Sequence, residues 1–130
     1  MSEFERSRRI AAPADQVFER ACDIDELDDW LPRDLHVRPE DPPAVTVHED
    51  AKGQDERALL RTERDQLRME WGTRDDDRYA GWLQVAGIDD SSSDVTVHLS
   101  FFDEEHAPAG DFVASALDES LERLAHRVSG

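Results

Sequence analysis

The sequence predicts an α+β domain: a curved antiparallel sheet, one long C-terminal helix on one of its faces, and two short helices between the first two strands. Three observations predict it. Short runs of alternating apolar and polar residues recur between residues 44 and 101, separated by polar, acidic tips. Apolar residues at helical spacing fill the stretch from Phe112 to Val128. The chain opens on a strand-like run, Phe4 to Ile10, followed by an Ala12-Pro13 joint and two short amphipathic stretches.

In residues 3–10, Phe4, Arg6, Arg8 and Ile10 share one side and Glu5, Ser7 and Arg9 the other. Such charged alternation suits an edge strand. Pro13 stops the strand and is tolerated in the first turn of a helix. Val17, Phe18, Ala21 and Cys22 then give an amphipathic helix over Ala14 to Cys22. A second short helix over residues 25–32 carries Leu27, Trp30 and Leu31, with Asp23 or Asp25 as its cap and Pro32 as its end.

Three prolines in residues 38–43 predict a linker there. Next comes a strand over Ala44 to Glu49, and a turn over Asp50 to Asp55. Arg57 to Glu63 is a strand with Ala58, Leu60 and Thr62 on one face. Leu67, Met69, Trp71 and Thr73 alternate with Arg68 and Glu70. Asp75 to Asp77 forms a tip, Tyr79 to Ala86 a strand, and Asp89 to Asp94 another tip. Val95, Val97, Leu99 and Phe101 line the last strand. Gly81 stands in mid-strand, where glycine marks a bend or a close approach. Asp111 is expected to cap the final helix, roughly 25 Å long at the usual rise per residue.

Composition bounds the function. The 130 residues fit one domain spanning 1–130, and 38% hydrophobic content with three Trp and five Phe can build one core. The formal net charge is −17, from 32 acidic and 15 basic residues, and Lys52 is the single lysine. That field repels phosphate backbones and anionic lipid, so no nucleic-acid partner is expected. The acidity reads as a heavily solvated surface, or more sharply as adaptation to high salt. No apolar run approaches the roughly 20 residues that cross a bilayer, so no membrane insertion is expected. The Met-Ser-Glu start without an apolar signal and the lone Cys22 point to a cytoplasmic protein.

Motifs for bound groups are lacking, and no cofactor or metal is expected. His36, His48, His98, His106 and His126 show no metal spacing, and His98 alternates away from Val97 and Leu99. The run Asp23 to Asp29 lacks the glycine and closing glutamate of a calcium loop. Phosphate-cradling glycine loops and nucleophile elbows are missing from the sequence. Cys22 falls on the buried side of its helix and reads as a packed thiol.

Several segments, in order, carry a family resemblance. They are Ile10-Ala11-Ala12-Pro13-Ala14-Asp15-Gln16-Val17-Phe18, Trp30-Leu31-Pro32, Met69-Glu70-Trp71, Tyr79-Ala80-Gly81-Trp82-Leu83, Val95-Thr96-Val97-His98-Leu99 and the closing Ser120-Leu121-Glu122-Arg123-Leu124. Over nearly its whole length the chain resembles the helix-grip SRPBCC superfamily, which includes START domains, Bet v1-like proteins and small bacterial polyketide cyclase/dehydratases. The resemblance implies a cavity between sheet and long helix for a hydrophobic small molecule. Members of this size leave little room, which argues against a large lipid.

Alternation supplies the register of such a cavity. Leu60, Met69, Trp71, Leu83 and Val85 should face the long helix, with Val97, Leu99 and Phe101 beside them. Phe112, Ala116 and Leu117 stand opposite. The same residues read equally as plain core. Thr62, Thr73, Tyr79 and Asp103 are the polar residues in this register. Tyr79 is the candidate for orienting a ligand oxygen or acting as a catalytic acid, with an ordinary pKa near 10; its hydroxyl also fits a sheet edge. Trp30 is a lid over the cavity mouth or the anchor of its helix. Three functions follow: binding of a small hydrophobic, aromatic or polyketide-like molecule; cyclase or dehydratase catalysis; or a filled-core module meeting a basic protein partner.

Overall fold

The computed structural model describes residues 2–23, 27–30, 35–39, 44–49, 54–73, 79–101 and 110–129. Its elements are β1 (Ser2–Ile10), α1 (Ala14–Ala21), α2 (Leu27–Trp30), β2 (Leu35–Pro39), β3 (Ala44–Glu49), β4 (Gln54–Glu63), β5 (Arg68–Thr73), β6 (Tyr79–Asp89), β7 (Ser92–Phe101) and α3 (Gly110–Ser129). The seven strands form one antiparallel sheet in the order β1-β7-β6-β5-β4-β3-β2. Strands β2 to β7 form a meander, and β1 returns to pair with β7. This is the α+β helix-grip arrangement, with α1 and α2 between the first two strands.

Elements follow from local sequence. Val17, Phe18 and Ala21 put the buried stripe of α1 on one side, and Pro13 stands at its N-cap in an extended conformation. On α3, Val113, Leu117, Leu121, Leu124 and Val128 recur at three- and four-residue steps and are all buried. They pack with Ile10, Val17, Phe18, Leu83, Val95 and Val97 in one apolar core. Such burial is the main favourable term in folding.

Several expectations are corrected. A strand, β2, begins within the stretch just before the predicted linker and includes Pro39, which pairs with Val45. Proline is tolerated because β2 is a sheet edge, where one row of backbone groups needs no strand partner. The β6–β7 tip is tighter than residues 89–94, since β7 already starts at Ser92. Asp89 Oδ1 accepts from the Ser91 backbone N–H at 2.8 Å and from the Ser91 and Ser92 hydroxyls at 3.1 and 3.0 Å. Those bonds hold the Asp89 carboxyl below its usual range. A register shift between Gly87 and Asp89 takes up the odd residue. Asp111 lies within α3, which starts at Gly110, and is not its cap.

Leu67 precedes β5, in a left-handed conformation (φ 52°) closing a 3₁₀ turn over Arg64–Gln66. The expected features at Asp25, Pro32, residues 50–53 and 75–77, Asp103 and Pro108 lie outside the described residues.

Candidate functional site

The strand register arranges the helix-covered face in rows. One row runs Arg8, Val95, Val85 across β1, β7 and β6. The next runs Arg6, Val97, Leu83, Met69, Thr62, reaching β4. The third runs Phe4, Leu99, Gly81, Trp71, Leu60. The fourth holds Tyr79 opposite Phe101.

Helix α3 crosses these rows. The Gln16 side-chain amide of α1 donates to the Val128 carbonyl at 3.4 Å, so the end of α3 meets α1. Near its middle, Asp118 lies 3.6 Å from Arg6 of β1. The start of α3 therefore lies toward the Tyr79–Phe101 end. In the first row Val95 and Val85 are 0% and 2% exposed, while Arg8 at its β1 end is exposed. Cover thins at the third, where Phe4, Trp71 and Leu60 are only half-buried.

Trp71 and Gly81 explain each other. A methyl group added at Gly81 would stand 2.6–2.7 Å from Nε1, Cε2 and Cζ2 of Trp71. The indole therefore lies flat across the glycine of the neighbouring strand. Glycine is required by this close approach, and the ring in turn covers backbone that no side chain shields. The ring lies on the row that also holds Leu99 and Leu60.

At the opposite flank of α3, the Arg123 guanidinium donates from Nη2 to the Trp30 carbonyl at 3.2 Å. Trp30 is 2% exposed, packed in the core beside Leu27. Its ring is buried in this structure.

The predicted site residues thus distribute as follows. Met69, Leu83, Val85, Val97, Leu99 and Leu117 are buried on the helix-covered face or on α3 opposite it. Leu60, Trp71 and Ala116 are half-buried. Thr62 shares the Met69 row but is exposed. Thr73, Tyr79 and Phe101 are placed by backbone register alone, and Phe112 by its position on α3. Among the described residues, no three His, Cys, Asp or Glu gather as a metal site would require.

A family model described as "Polyketide cyclase / dehydrase and lipid transport" matches residues 1–129. The chain belongs to this family. No curated protein matches the sequence. Several solved structures share the fold. An uncharacterized protein from Bacillus thuringiensis is 18% identical with a TM-score of 0.75, covering 99% of this chain and 100% of that one. A START superfamily protein from Mycobacterium smegmatis is 18% identical with a TM-score of 0.67, covering 98% of this chain and 97% of that one. The di-domain ARO/CYC BexL from the BE-7585A biosynthetic pathway is 17% identical with a TM-score of 0.72. It matches 99% of this chain but 47% of its own length, so the family member described here spans about one of its two domains.

The outer sheet face of this family member holds a cluster that sequence reasoning did not assemble. Trp82 and His98 are paired across β6 and β7, and their rings stack at 5.2 Å and 7°. The Arg68 guanidinium lies 4.6 Å over the Trp82 ring and donates to Glu70 at 2.7 Å. His98 sits 3.3 Å from Glu5 and 3.2 Å from the Ser100 hydroxyl. His98 does face away from the core, as alternation predicts, but its side chain is only 19% exposed. The outward position of Trp82 was legible; the cross-strand partners needed the register.

Proposed function

We propose that the protein binds a small hydrophobic molecule, aromatic or polyketide-like in shape, between the sheet and α3. The observation that carries this reading is the Trp71 indole laid on Gly81, half-buried on the row where the cover of α3 thins. An aromatic floor of that kind offers a flat apolar contact that a planar ligand can complete. Ligand burial would supply the drive, with Tyr79 and Thr73 proposed to orient the ligand's polar atoms. The proposal takes the protein as one soluble, cytoplasmic domain over residues 1–130.

Calorimetric titration with 2-ethylnaphthalene tests it. The wild-type protein should bind, and Trp71→Ala should bind roughly tenfold more weakly, a loss of the order expected from an aromatic contact and its burial. Trp82→Ala, altered on the outer face, should bind as the wild type does. Absence of binding, or equal losses in both variants, overturns the reading and favours a filled core that serves a protein partner.

A cyclase or dehydratase reading of the same site is favoured by the family description and by the ARO/CYC fold relatives. In it, holding a reactive poly-β-ketone in one folded shape does most of the work. Tyr79 is the acid proposed for it. Cyclisation by the wild type that survives Tyr79→Phe would remove Tyr79 from that role.

A further inference from the structure

Two buried polar side-chain atoms at the α2–α3 seam have no hydrogen-bond partner among the described residues: Trp30 Nε1 and Ser120 Oγ. Both residues are 2% exposed. An indole N–H donates only, and a hydroxyl both donates and accepts. Leaving such groups unpaired in an interior is costly, because their bonds to water are lost without replacement. Nearly all buried polar groups in folded proteins have partners, so two together require an explanation.

Two features tie both residues to the α2–α3 contact. Arg123 donates to the Trp30 carbonyl, which fixes the flank of α3 that meets α2. Ser120 precedes Arg123 by three residues, and residues so spaced are neighbours on a helix surface. Ser120 therefore lies on the margin of the buried stripe of α3 that faces α2. Asp118 leaves the other side of the helix, toward Arg6 of β1. The α2 flank thus brings an indole N–H, a hydroxyl and a guanidinium to the apolar core. In a chain of net charge −17 this is an interior spot with donors and a cation, and no carboxylate bonded to either orphan atom.

We propose that Trp30 Nε1 and Ser120 Oγ form a buried subsite for an acceptor oxygen of the ligand, a ketone or comparable carbonyl. This rests on the binding function proposed above and gives it a polar specificity: the ligand is an oxygenated hydrophobe, with its apolar body along the core and its carbonyl at the α2–α3 seam. A site built to hydrogen-bond an oxygen discriminates against an analogue lacking it, because its own donors then stay unpaired.

The test compares 2-acetylnaphthalene with its acceptor-free analogue 2-ethylnaphthalene. The wild type should bind the ketone roughly 3- to 10-fold more tightly, the range one hydrogen bond supplies. Trp30→Phe and Ser120→Ala should each shrink that preference, read as the ratio of the two affinities in the same variant. The chain has three tryptophans, so the indole N–H resonance of Trp30 can be assigned by substitution. It should move downfield with the ketone and not with the hydrocarbon. Equal affinity for both probes in the wild type, or an unmoved Trp30 resonance, overturns the subsite and leaves hydrophobic binding standing. Binding of neither probe overturns both. Should Trp30→Phe fail to fold, Ser120→Ala and the wild-type resonance still decide the matter.

Discussion

Cys22 shows how burial sets the chemistry of one side chain. Its position at the C-cap of α1 places the thiol partly inside, and desolvation pushes its pKa from 9.0 up to about 12, against a weaker opposing pull from Arg64. Such a thiol is a poor nucleophile near neutrality. The unfolded chain releases this proton near pH 9, the folded one only near 12. The contribution to stability is therefore full below about 9 and is lost as pH rises toward 12. Urea midpoints measured across that interval should fall more steeply for the wild type than for Cys22→Ala; parallel curves would refute the assignment. Trp71 and Gly81 make the complementary point. Gly81 was recognisable from sequence as a bend or close approach, but the ring that approaches it lies ten residues away on β5 and was found only through the pairing of Trp71 with Gly81.

At the scale of elements, the hairpin end of the sheet is fastened by hydrogen bonds of unequal worth. Ser93 is 0% exposed, and its hydroxyl donates to the Ala12 carbonyl at 3.0 Å, tying β7 to the joint between β1 and α1. Ser93→Ala should cost about 1–3 kcal/mol, since it removes a buried donor. Ser91→Ala should cost under about 1 kcal/mol, because Asp89 keeps its Ser92 partner in an exposed turn. Chemical denaturation of the two variants measures the difference, and equal losses would refute it. Among the described residues, periodicity identified six of the seven strands and all three α-helices. It missed β2 because three prolines in 38–43 outweigh a short run whose strand character depends on an edge position. Ser93 was likewise assigned to a tip, since a serine run carries no sign that one hydroxyl turns inward.

At the scale of the molecule, charge is the dominant global property. The net −17 leaves the native surface repelling itself, while ion pairs such as Arg9–Asp94 and Arg64–Glu19 are exposed. Pairs of that kind contribute little individually. Added salt screens the repulsion beyond about 10 Å at 0.1 M. The Tm should therefore rise by several degrees between about 10 mM and 0.5 M NaCl; a Tm independent of salt would show that the acidic groups are locally balanced, and would end the salt-adaptation reading with it.

The sequence by itself determined the fold class, the face of each inner strand and the apolar stripe of α3, because periods of two and 3.6 residues are local properties of the chain. The family membership confirms that layout. Tertiary structure alone decided which residues are neighbours: the indole on Gly81, the stack of Arg68, Trp82 and His98, and the bond from Arg123 to the Trp30 carbonyl. Each joins residues from different elements, and hydrogen bonding and close approach depend on distances that no periodicity encodes.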